Sequence, residues 1–143
     1  MRTKNFLPLL AFTLLFPVCT LAQISDAPED ARTYIVSPQH GAVVPTTFTV
    51  VFGLSGMGVA PAGQNVEGTG HHHLLINVDE LPDLTKPLPT TDQVRHFGLG
   101  QTETVVTLPP GKHTLQLILG DFTHTPHNPP VMSEKITIYV SGK

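Results

Sequence analysis

The sequence predicts an all-β fold, an immunoglobulin-like antiparallel β-sandwich of about seven strands. Three observations carry that expectation. Apolar residues recur at every second position in several short segments, as at Phe48, Val50, Phe52 and Leu54, and period two marks a strand with one buried face. Turn chemistry separates such segments at spacings of about ten residues, as in 37–41 (SPQHG) and 109–112 (PPGK). Fourteen prolines, twelve glycines and only 13% charged residues suit short strands joined by tight turns. No segment reads as a helix.

Residues 1–22 are set apart from that domain. Arg2 and Lys4 make a basic start, 6–16 (FLPLLAFTLLF) is an apolar stretch, and Thr20-Leu21-Ala22 supplies small residues for cleavage after Ala22. This is signal-peptide organisation. The run is too short, and too interrupted by Pro8 and Pro17, for a membrane span. The mature protein is therefore expected in the periplasm or secreted. Cys19 follows Phe16-Pro17-Val18, which lacks the small residues that lipid attachment needs, so it is expected to leave with the signal peptide. A mature chain without cysteine has no disulfide, thiolate metal site or cysteine nucleophile. Without Arg2 and Lys4, six of the eight basic residues remain against eleven acidic ones, a balance of −5 with histidine neutral. That charge argues against nucleic acid or an anionic membrane surface as partner.

In chain order, 23–32 reads as a flexible leader and 33–143 as one sandwich domain. Residues 33–36 make a first strand, and a second begins at Thr46. The stretch 55–69 (SGMGVAPAGQNVEGT) has no period, and a loop of that length in a compact domain is expected to do something. It delivers the chain to His71-His72-His73-Leu74-Leu75-Ile76, a strand with His71 and His73 on one face and His72, Leu74 and Ile76 on the other. Residues 81–91 carry Pro82, Pro87 and Pro89 and read as a surface crossover. Further strands are expected at 102–108, 112–119 and 136–140. A second irregular loop, 120–130 (GDFTHTPHNPP), lies between the last two.

The histidines carry the chemistry. An H-x-H pair on a strand sets two imidazoles side by side, within reach of one ion, and imidazole suits copper, zinc, nickel and iron. His71 and His73 form such a pair; His124 and His127 form an H-x-x-H pair in a loop that Pro126 keeps from being helical. His96 stands at an expected strand start. If the loops meet at one end of the sandwich, His71, His73, His96, His124 and His127 make one thiolate-free metal site, with Asp121 as a ligand or as the acceptor that holds an imidazole N–H. His72 reads as a hydrogen-bonded residue at the core edge and His113 as an ordinary structural residue, while His40 sits in a polar turn apart from the others. Met57 and Met132 offer thioethers but read more simply as packing. The chain has no G-x-S-x-G, H-E-x-x-H, P-loop or dinucleotide fingerprint. A histidine with Glu67, Asp79, Glu103 or Asp121 offers acid–base chemistry, but the spacing selects no pair.

Five segments together resemble a family of small exported bacterial domains of unknown function, DUF4399. They are 52–63 (FGLSGMGVAPAG), 68–76 (GTGHHHLLI), 96–103 (HFGLGQTE), 110–117 (PGKHTLQL) and 120–127 (GDFTHTPH). The resemblance covers about residues 40–140. It implies that the glycine loop, the triplet, His96-Phe97-Gly98, His113 and His124 to His127 belong to one shared motif set. It implies no activity.

The expected function is binding of a transition metal ion, copper before zinc. The alternatives are a small periplasmic enzyme acting on a small molecule through the same pocket, and a structural or interaction module without metal. Imidazole ligation implies that affinity falls as pH drops through the ordinary histidine range, near about 6.5.

Overall fold

A computed structural model describes residues 24–142. The expected signal peptide, with Cys19 and the cleavage point after Ala22, lies outside the described residues, as does Gln23. Nine strands follow: β1 (Arg32–Ser37), β2 (Val43–Val44), β3 (Thr47–Ser55), β4 (Gly58–Val59), β5 (Thr69–Ile76), β6 (Val94–His96), β7 (Glu103–Thr107), β8 (Gly111–Gly120) and β9 (Ile136–Val140). Among the described residues there is no helix, hence none long and apolar enough to cross a membrane.

One sheet has the order β1-β3-β7; the other runs β2-β9-β8-β5-β4, with β6 also paired to β5. Of the six longer strands, the first, second and fourth form one sheet and the third, fifth and sixth the other. That is the A-B-E and C-F-G division of an immunoglobulin-like sandwich. The long pairs are antiparallel, while β2 with β9 and β4 with β5 are parallel. β2 and β4 are additional to the sequence expectation, and β6 ends at His96 rather than starting there; all three are two or three residues long, too short for a period of two to register.

Alternation explains the packing between the sheets. Phe48, Val50 and Phe52 of β3 and Val106 of β7 meet Leu74 and Ile76 of β5, Leu115 and Leu117 of β8, and Ile138 and Val140 of β9. Each fully buried leucine here contributes about 2 kcal/mol. The second sheet is covered on its other face too. Leu75 and Ile118 pack there with Val94 and Leu88, and Met132, Leu84 and Val78 close the cluster. The proline-rich crossover is therefore a lid over β5, and Leu88, 5% exposed, is its plug. Every residue from Gly70 to Ile76 is buried. Ser25 and Ala27, in the segment expected as a leader, hydrogen-bond the backbone of Asn128.

Candidate metal centre

The registers of β5 assemble the site. His73 stands opposite His96 of β6 on one side and Ile118 of β8 on the other, and His71 stands opposite Gly120. Opposed residues of an antiparallel pair project from the same face. His71, His73 and His96 therefore share one surface, on the side of Leu75 and Ile118. The turn after β8 folds His124 over them.

The four imidazoles form a compact group. Ring centroids lie 4.8 Å apart for His71–His73, 5.0 Å for His71–His96 and 5.2 Å for His73–His96. His124 lies 4.6 Å from His96, 5.1 Å from His71 and 6.2 Å from His73. His71 and His73 are fully buried and make the floor, whereas His96 and His124 are half-buried and make the rim.

The group lacks hydrogen bonds, as does the buried His72 on the other face of β5. Both ring nitrogens of His71 and of His73, and Nε2 of His96, are buried with no hydrogen-bond partner. Leaving such a group unpaired costs about 1–3 kcal/mol each. His113 shows how this fold treats a structural histidine. Its Nε2–H donates to the Pro109 carbonyl at 2.8 Å, and its Nδ1 accepts from Asn77 Nδ2 at 2.9 Å.

Two glycines make room for the rings. A Cβ on Gly98 would overlap the His96 ring, and one on Gly120 would lie 2.8 Å from Cε1 of His73. The irregular 55–69 stretch ties the surroundings together. Ala62 N–H donates to the Gly98 carbonyl and Gly63 N–H to that of Phe122, both at 2.9 Å. The loop thereby joins the segment bearing His96 to the turn bearing His124.

Asp121, 2% exposed, does not face the imidazoles as a hydrogen-bond acceptor. Its Oδ1 accepts from Thr123 N, Thr123 Oγ1 and Thr125 N, and its Oδ2 from Ser25 Oγ. It builds the turn that presents His124, whose φ of 71° lies in the left-handed region.

Burial makes the floor rings hard to protonate. His71 is lowered to about 4, first by desolvation and then by repulsion from His96 and His124, with the Asp121 carboxylate acting in the opposite sense. His73 is lowered to about 3, again by desolvation first and then by His71, His96 and His124. His72 and His96 are also lowered, chiefly by burial. The floor imidazoles are thus neutral at ordinary pH, the state in which a ring nitrogen can bind an ion.

The structure brings together four of the five histidines singled out from sequence. His127 stands apart. Its Cε1 lies 2.9 Å from where a Gly70 Cβ would be, on the opposite face of β5, and its Nε2–H donates to the Thr69 carbonyl at 3.2 Å. His72 is fully buried, not at the core edge, with its ring 5.1 Å from that of Phe52. Its nitrogens face the carbonyls of Gly53 and Gln101 without reaching hydrogen-bonding geometry. His40 accepts from Thr137 N–H at 3.2 Å. Met132 packs with Leu75 and Ile118, and Met57 lies in the turn between β3 and β4. Sequence reasoning missed Gly98 and Gly120 as cradles; a glycine two residues after His96, and another just before the His124 turn, were the available signals.

The donor set fits a transition metal ion. Nitrogens held at about 2.1 Å from one ion are no more than about 4.2 Å apart. One nitrogen from each of His71, His73 and His96 lies within 4.8 Å of the others, so sub-ångström ring movements close the gap. These three rings can hold a metal ion, and His124 stands beside them.

A family model described as "Domain of unknown function (DUF4399)" matches residues 50–141, a span that includes all four clustered histidines. No curated protein matches the chain. Among solved structures, the chain is similar at 14% identity to one described as the endo-beta-1,4-mannanase from Thermotoga petrophila. That match has a TM-score of 0.44 and covers 80% of this chain but 20% of the other. Such a likeness bears on neither site nor activity.

Proposed function

The chain belongs to the DUF4399 family, whose description assigns no activity, so we propose a role from its own histidines: binding one transition metal ion, copper before zinc, outside the cytoplasm. The observation that carries this reading is the set of buried, unpartnered nitrogens on His71, His73 and His96, within 4.8 Å of one another. An ion supplies the partner that those nitrogens lack. A neutral, all-nitrogen set favours copper, because divalent affinities rise to copper and fall again at zinc. Zinc remains the second choice, since imidazole also suits it.

The test is metal content. Protein purified from the export compartment without a tag or chelator is expected to carry about one copper or zinc ion per chain. Replacing His71 and His73 by alanine should abolish it. Protein that holds no metal, and takes up none from micromolar copper or zinc, overturns the reading.

The half-exposed rim of His96 and His124 favours a second reading, in which the bound ion is open to a small molecule and the protein is an enzyme. Turnover lost in His73→Ala with the fold intact would identify it.

A further inference from the structure

We propose that Asp121, braced by Ser25, is the positioning residue that seats His124 in the histidine cluster. The number of imidazoles offered to an ion, four or three, is then set from the N-terminal segment. The metal-bound consequence rests on the reading above; the positioning itself does not.

His124 holds φ at 71°, a region where a non-glycine residue persists only if its surroundings impose it. The imposing contacts converge on one side chain. Oδ1 of Asp121 accepts from Thr123 N at 2.8 Å, Thr123 Oγ1 at 2.7 Å and Thr125 N at 3.0 Å. The Asp121 carbonyl accepts from His124 N–H, and the His124 carbonyl from Leu88 N–H, both at 2.9 Å. Fixing the carboxylate thus fixes the residues on both sides of His124.

The remaining oxygen, Oδ2, accepts from Ser25 Oγ at 3.0 Å, across 96 residues of sequence. Ser25 is itself anchored. Its carbonyl accepts from Asn128 N–H, and the Asn128 carbonyl accepts from Ala27 N–H, both at 2.9 Å. This short ladder joins the N-terminal segment to the end of the loop that carries His124. Beside it a polar cavity of about 240 Å³, lined by Ser25, Glu67, Asp121 and His127 among others, gives a released carboxylate room to rotate. Without the Ser25 hydroxyl, Oδ2 is buried with no donor, which leaves its desolvation uncompensated, and a turn of the carboxylate into the cavity would restore its hydration. Such a turn abandons the Thr123 and Thr125 bonds, and His124 leaves the rim.

The experiment compares the parent with Ser25→Ala, Asp121→Ala and Asp121→Asn. Asparagine keeps an oxygen for the Thr123 and Thr125 N–H groups and can donate to Ser25 Oγ, so it should preserve the arrangement. The first readout needs no metal: nuclear Overhauser contacts between the ring protons of His124 and those of His71 and His96. They should weaken severalfold in Ser25→Ala and Asp121→Ala and persist in Asp121→Asn. Contacts between His71 and His73 should persist in all four proteins. The second readout is the copper(II) paramagnetic resonance spectrum, in which Ser25→Ala should match His124→Ala, a three-nitrogen centre, rather than the parent.

Unchanged His124 contacts in Ser25→Ala overturn the proposal, even if Asp121→Ala fails to fold. Lost His124 contacts with a parent-like copper spectrum overturn the link to ligand number. A parent that binds no copper sinks the metal-binding reading instead, and the ring contacts alone then decide the positioning.

Discussion

His73 of β5 and His96 of β6 are register partners, and their ring centroids lie 5.2 Å apart. The pairing brings together two residues separated by the whole proline-rich crossover. It also fixes their rings to the sheet itself, so the spacing of the donors is as rigid as the strand pairing that sets it.

Metal should therefore stabilise the fold. A ligand that binds only the native state adds about 2.7 kcal/mol at a hundredfold excess over its Kd. Copper(II) is expected to raise the urea midpoint of the parent and leave that of the doubly substituted His71→Ala, His73→Ala protein unchanged. Equal shifts in both would place the ion elsewhere.

Acid should weaken the metal-free fold over a defined window. The native rings of His71 and His73 protonate near 4 and 3, whereas in the unfolded chain they do so near 6.5. Between those limits the unfolded state binds more protons, so stability falls as pH falls. Each pH unit in the window removes up to about 1.4 kcal/mol per histidine. Denaturant melts from pH 7.5 to 4.5 should show the slope, and it should shrink in His73→Leu.

The cradling glycines should be intolerant of a methyl group. Gly98→Ala and Gly120→Ala are expected to lower copper or zinc affinity by about tenfold or more, because they displace the His96 and His73 rings. Gly41→Ala is the control. It has a φ of +80° with nothing near the added atom, so it should cost about 1 kcal/mol of stability and no affinity. Calorimetric titration with denaturant melts separates the two effects.

His113 should behave in the opposite way to His73. His113→Ala strands the Pro109 carbonyl and the Asn77 amide, which is expected to cost about 2 kcal/mol. Metal uptake should be unaffected. A normal melt with lost uptake would contradict the division between structural and clustered histidines.

The sandwich was legible because most of its strands bury one face. Phe48, Val50 and Phe52, and His113, Leu115 and Leu117, alternate as period two requires. Half of the site was legible for the same reason, since an H-x-H pair on a strand must share a face. The rest depended on information that no local pattern carries. The partnership of His73 with His96 is a strand register across a coil. His124 and His127 are three residues apart, yet the left-handed turn sends one to each side of β5. Asp121 looked like a ligand because acids next to histidines often are; its oxygens are instead occupied by Ser25, Thr123 and Thr125.

The central strand has one more property. From 71 to 76 it reads His-His-His-Leu-Leu-Ile, so neighbouring positions on opposite faces are nearly the same. A slip by one residue usually sends apolar side chains to water. Here it would replace histidine by histidine at 71 and 72 and aliphatic by aliphatic at 74 and 75, and within 71–75 only position 73, which would receive a leucine, would change character, so the strand holds little code for its own alignment. The code lies in glycines. A Cβ on Gly70 would come within 2.7 Å of the Gly120 carbonyl oxygen, and Gly120 alone leaves space for the His73 ring. A misaligned strand would turn one histidine outward instead of two. Loading with an ion would then act as proofreading, rewarding only the chain whose central strand has docked in the right frame.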